Sequence, residues 1–194
     1  MAQDTRERML EAAAKLLHAR GYRGISLNDI LEESGAPRGS LYYHFPQGKD
    51  ELVRDAMLRE VERIDEFLLG AFAESSHPAE GVRAYVEAAA EELGSSDYTL
   101  GCPVAPVILD SPEASSDLAE ACRKSMDHWL TIIRDRLAAA GLSTARAESL
   151  AVLIVSSVEG GLLLARTNRD TNSLGALADE LAKIVTEALP APSP

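Results

Sequence analysis

Apolar residues return every three or four positions along almost the whole chain, and nowhere does the strict alternation of a half-buried strand appear. Residues 4–20 show the helical spacing first. Met9, Ala12, Ala13, Leu16 and Leu17 share one face, and Gly21 closes the segment. Two short helices are predicted next. Ser26 is a good N-cap with Asp29 as its capping-box partner, Ile30 and Leu31 give an apolar side, and Gly35 ends the helix. Pro37 suits the first turn of the following helix, in which Leu41 and Phe45 lie four apart and share a buried side. A long helix is expected over 49–75, carrying Leu52, Ala56, Leu58, Val61, Ile64, Phe67, Leu68 and Phe72. Further helices are expected over 78–93, 103–110, 113–140, 145–166 and 172–189. No internal repeat is visible. The pattern predicts an all-α protein.

The pair of short helices joined by a Gly-containing turn has the form of a helix-turn-helix unit. With Leu41 and Phe45 turned inward, Arg38, Gly39, Ser40, Tyr42, Tyr43 and His44 face outward. This is what a DNA-reading helix needs. An arginine can make paired hydrogen bonds to a guanine edge, and a glycine lets the backbone come close to the duplex. Hydroxyl and imidazole groups serve phosphates, helped by backbone N–H groups at the helix start. Ser26 and Lys49 are further candidates for phosphate contact. Three adjacent exposed rings cost solubility unless a partner uses them.

Charge looks adverse to this reading, with a formal net of −12. Its distribution removes the conflict. Residues 1–55 hold eight Lys or Arg against nine Asp or Glu, while residues 56–194 hold eleven against twenty-two. The acid lies in the C-terminal part, and a weak electrostatic term implies reliance on shape and base contacts. Cys102 and Cys122 are too few and too far apart for a disulfide framework. Four scattered histidines in no ligand spacing argue against a metal site. No nucleophile–base set or phosphate-binding glycine loop is present, so no catalytic residue, enzyme activity or cofactor is expected. No apolar run of 18 residues and no signal-peptide core are seen, which leads to the expectation of a cytoplasmic protein with no membrane partner.

Several stretches resemble the DNA-binding domain of the TetR family of bacterial transcriptional regulators. They are T-R-E-R-M-L-E-A-A-A-K-L-L-H-A-R-G-Y from Thr5, S-L-N-D-I-L-E-E-S-G from Ser26, A-P-R-G-S-L-Y-Y-H-F from Ala36, and G-K-D-E-L from Gly48. G-S-L-Y-Y-H-F-P and G-C-P-V are similar to the LmrA/YxaF-like subgroup. The spacing from Phe45 to Lys49 is one residue longer than is usual in the family. The resemblance implies a three-helix DNA-binding domain over 1–47, a helical ligand-binding and dimerisation domain over 48–189, and a flexible tail over 190–194. It implies a repressor that binds a near-palindromic double-stranded operator and is released by a small apolar or aromatic effector. Within that scheme the helix over 49–75 connects the two functions. A transcriptional activator of the same fold, or a helical protein-interaction module, is the alternative.

Apolar residues lie around most of the helix over 145–166, more than a small monomer can cover. A homodimer in which the last two helices pair with their copies as a four-helix bundle is therefore expected. Candidate effector contacts in the middle helices are Phe67, Leu68, Tyr85, Cys102, Met126, Trp129, Ile133 and Glu159. Each also reads as core. Trp129 has an N–H that needs a partner if buried.

Overall fold

A computed structural model describes residues 2–110 and 115–190, and those residues form helices and turns only. The helices are α1 (Ala2–Arg20), α2 (Leu27–Ser34), α3 (Arg38–His44), α4 (Lys49–Glu74), α5 (Pro78–Ser95), α6 (Ala105–Asp110), α7 (Ser116–Ala139), α8 (Thr144–Asn168) and α9 (Asn172–Ala188). The expected all-α architecture is found. Glu113, expected to open the seventh helix, and residues 191–194 of the expected tail lie outside the described residues.

The local signals act as their chemistry requires. The Ser26 hydroxyl accepts from the Asp29 N–H at 3.2 Å, and the Asp29 carboxylate accepts in return from the Ser26 N–H at 2.7 Å. Gly35 takes the left-handed conformation at φ +60 and closes α2. Pro37 stands one position earlier than expected. Its ψ of 135 is extended, so it caps α3 and Arg38 becomes the first helical residue.

The chain packs as two compact units, the first comprising the chain up to Arg63 with Cys102–Met126, the second Ile64–Gly101 with the chain from Asp127 onward. In the first, Met9, Leu17, Ile30, Leu41, Phe45, Leu52, Val53, Met57 and Leu118 are at most 1% exposed. Cys122 is buried beside them, its thiol donating to the Met57 sulfur at 3.6 Å. Burial pushes that thiol up to about 11, so it stays protonated and unreactive.

In the second unit α5 packs against α9, and α8 against both. The approach of α8 to α9 is close because Gly161 lacks a side chain. A Cβ there would lie 2.7 Å from Leu174 Cδ2. By length and composition α8 could cross a membrane, although Glu148 and Glu159 interrupt it, so that no unbroken apolar run of 18 residues is present. Its faces differ, however. Leu150, Ala151, Ile154, Val158 and Ala165 are buried in the unit, whereas Val152, Leu153, Leu163 and Leu164 are exposed.

Trp129 is buried, and its indole N–H finds a partner in Asp65 of α4, at 2.8 Å. His128 lies 3.4 Å from the other oxygen of the same carboxylate. Burial raises the Asp65 carboxyl above its ordinary range, and the bond from Trp129 and the electrostatic influence of His128 oppose this only in part. The folded protein therefore holds a proton on Asp65 more tightly than the unfolded chain does. Stability from this group is present at acid pH and is lost as pH rises from the ordinary carboxylate value through the raised one. Asp65→Asn keeps an acceptor for the indole and cannot ionise, so it should leave thermal stability unchanged or higher at neutral pH. Asp65→Ala strands the buried N–H and should cost about 1–3 kcal/mol. Thermal unfolding of both variants at one protein concentration, at pH 5 and pH 7.5, checks this.

Candidate nucleic-acid interface

The seven-residue helix α3 is fixed by two side chains. Leu41 and Phe45 are 1% and 0% exposed, against 63% for Tyr42 and 78% for Tyr43. Ser40 and His44 are half-buried, and Arg38 and Gly39 are exposed. The six residues expected to face outward thus share one helix and form one polar surface above an apolar anchor. The His44 ring stands edge-on to Tyr43 with centroids 4.9 Å apart. Ser40 donates its hydroxyl to the Pro37 carbonyl at 2.6 Å, which ties it to the start of α3. A Cβ built on Gly39 meets nothing within 4 Å, so the protein itself gives no packing reason for a glycine there.

The other two sequence candidates are more tightly engaged. Ser26 directs its hydroxyl to the Asp29 carboxylate as well as accepting from the Asp29 N–H. Lys49, at the start of α4, donates to the Tyr22 carbonyl at 2.7 Å and lies 4.0 Å over the Tyr22 ring. Burial lowers its ammonium below the usual lysine range. The Tyr22 hydroxyl in turn donates to Asp50. Burial, with that bond and the Asp50 charge, pushes the phenol up to about 12. Burial also pushes the Asp50 carboxyl up. Bonds from Tyr22 and from the Ser115 N–H at 2.8 Å, together with Lys49, bring it below the carboxylate range. This group of four residues holds the turn after α1 against the starts of α4 and α7.

Ion pairing sorts the cations of the N-terminal region. Arg6 and Arg54 pair with Asp55, Arg8 with Asp4, Lys15 with Glu33 and Arg20 with Asp29. Among the described residues, Arg23, Arg38 and Lys49 have no carboxylate within 4.0 Å. Arg23, exposed in the turn between α1 and α2, is a candidate the sequence reading missed. Only the partners of the other cations single it out.

The effector candidates occur in both units. In the second, Leu68, Tyr85, Trp129 and Ile133 are buried, Phe67 is 42% exposed and Glu159 is half-buried. In the first, Cys102 and Met126 are half-buried, and the Cys102 sulfur accepts from the Ala105 N–H at 3.3 Å.

Residues 9–56 match the bacterial regulatory proteins of the tetR family, and residues 78–180 match the C-terminal domain of LmrA/YxaF-like transcriptional regulators. The HTH-type transcriptional regulator LmrA of Bacillus subtilis (strain 168) is 34% identical over 171 residues, which cover 88% of this chain and 91% of that one. A TetR transcriptional regulator from Chloroflexus aurantiacus J-10-FL superposes with a TM-score of 0.81 at 27% identity, over 97% of each chain. A cysteine mutant of the TetR family regulator CifR, complexed with 26bp double-strand operator DNA, shares the fold with a TM-score of 0.80 at 21% identity, over 95% of this chain and 96% of that one.

Gly39 offers a test that separates folding from binding. Alanine there has open space and a better helix propensity, so Gly39→Ala should raise stability by up to about 1 kcal/mol. If the backbone of α3 approaches a duplex, the same change should weaken DNA binding. Thermal unfolding and fluorescence-anisotropy titration of one preparation measure the two effects, which are expected to have opposite signs.

Proposed function

Because this chain belongs to the TetR family of bacterial regulatory proteins, with an LmrA/YxaF-like C-terminal domain, we propose that it is a transcriptional repressor released from its operator by a small apolar or aromatic effector. The observation that carries the DNA-binding part is the outward face of α3. Arg38, Gly39, Tyr42 and Tyr43 stand exposed on a helix held by Leu41 and Phe45, and Arg38 has no carboxylate partner. Arg38 reads a base edge. Tyr42, Tyr43, Ser40 and His44 serve the flanking phosphates, and Arg23 adds one more such contact. Ser26 and Lys49 position the backbone, Ser26 at the start of α2 and Lys49 at the Tyr22 carbonyl. In this reading residues 1–47 carry DNA binding and residues 48–189 carry effector binding and dimerisation.

The protein acts as a homodimer through α8 and α9. Support comes from the exposed apolar stripe Val152, Leu153, Leu163 and Leu164, which also carries the exposed Ser156 and Gly160. A Cβ built on Gly160 of α8 or Gly175 of α9 meets nothing within 4 Å, so a partner helix can approach closely at both. Two reading helices joined in this way meet successive major grooves about 34–36 Å apart on a near-palindromic site. The effector is received among Phe67, Leu68, Tyr85, Trp129 and Ile133 of the second unit. The apolar and aromatic character of these side chains favours an apolar or aromatic molecule. Release from DNA needs an effector that prefers the non-binding state by a few kcal/mol.

A mobility shift on fragments flanking the protein's own gene, with random competitor at low and moderate salt, tests the reading. A competitor-resistant complex is expected. No shifted complex at either salt, together with capture of a protein that neither salt nor added DNA displaces, would point to a protein partner instead. Arg38→Ala should cost about 1–3 kcal/mol on the operator and little on random DNA. Leu163→Glu places a charge on an exposed part of the stripe. It should give a folded monomer by light scattering, with operator affinity reduced at least tenfold.

A further inference from the structure

The cation expected to read sequence is held in place by a neutral partner. Arg38 Nη2 donates to Asn28 Oδ1 at 2.9 Å, joining the first residue of α3 to the second residue of α2 across the turn. Both side chains are exposed. A carboxylate stands next to Asn28 in sequence, yet it is used elsewhere. Asp29 accepts from the Ser26 N–H at 2.7 Å and from the Ser26 hydroxyl, and pairs with Arg20 at 3.5 Å. Those hydrogen bonds hold its carboxyl below the ordinary range.

We propose that Asn28 is a positioning residue for sequence discrimination: its amide oxygen holds the Arg38 guanidinium in a fixed orientation on the reading face without neutralising it. The chemistry of the pair supports this role. A guanidinium has five N–H donors, and one bond to Asn28 leaves four for a base edge. An amide acceptor orients the plane by its dipole and leaves the full positive charge facing the DNA. A carboxylate at the same place would orient it equally well, cancel the charge and add an anion facing phosphate. An arginine already restricted in the free protein loses less rotamer freedom on binding. That gain is largest where the bound geometry is unique, which means a matched site and not random DNA.

The inference rests on Arg38 reading a base, so the experiment separates the two. A duplex recovered by selection from a random-sequence library serves as the specific probe, and an unselected duplex of equal length as the control. Wild type, Asn28→Ala, Arg38→Ala and the double variant are titrated on both, with circular dichroism confirming the helical fold. Asn28→Ala is expected to weaken the selected duplex about three- to tenfold and to leave the unselected one unchanged. The double variant should bind no more weakly than Arg38→Ala alone. Asn28→Asp should weaken both duplexes, because the charge is lost although the acceptor is kept. Multiplicative losses in the double variant, or an Asn28→Ala protein equal to wild type, would overturn the role of Asn28 while leaving Arg38 as the reader. An Arg38→Ala protein with full affinity for the selected duplex would overturn the reading of Arg38 and, with it, the role of Asn28.

Discussion

The N-terminal surface depends on the burial of Leu41 and Phe45. A helix of seven residues is too short to persist in water on its own, since the cost of its first turn is not recovered over so few bonds. α3 persists because these two side chains are fully buried in the first unit, whose core also holds Met9, Leu17, Ile30, Leu52 and Val53. Once the anchors are fixed, the helical period leaves Arg38, Gly39, Tyr42 and Tyr43 no direction but outward. The display of polar and aromatic groups is thus a consequence of apolar packing beneath it.

Electrostatics then refine what packing has placed. In an acidic chain most cations acquire carboxylates, and those that do contribute little to an external anion. Arg6, Arg8, Lys15, Arg20 and Arg54 are used this way. Two carboxylates of the first unit are engaged by partners other than Arg38. The capping box of α2 holds Asp29, and Tyr22 with the Ser115 N–H holds Asp50. A net charge of −12 therefore coexists with a cation whose charge is uncompensated where DNA would be met.

The second unit solves a different problem, the covering of one very apolar helix. One side of α8 is packed by α5 and α9, with Gly161 permitting the close approach. The other side, from Val152 to Leu164, is left to a second copy in the proposed dimer. Within the same unit Trp129 satisfies its indole N–H on Asp65. A large ring can then be buried with its polar atom satisfied, at the cost of a carboxyl that resists ionisation.

Helical spacing, the caps at Ser26 and Gly35 and the anchors Leu41 and Phe45 were readable from the residues because they are local. Propensity, capping and periodicity act over a few positions along the chain. The outward set on α3 followed from those same positions. Partners distant in sequence were not readable. Asn28 with Arg38, Tyr22 with Asp50, and Asp65 with Trp129 are ten, twenty-eight and sixty-four residues apart, and no periodicity encodes such pairs. The expected start of α3 at Pro37 shifted by one because a single ψ angle separates a cap from a first turn. The sequence by itself determined which helices form and the buried faces of α1, α2 and α3, but not that of α8 or the exposure of Phe67 on α4. Only the tertiary structure decided which charges are free and which side of α8 stays exposed, because charge pairing and residual exposure depend on distances that only the packed chain defines.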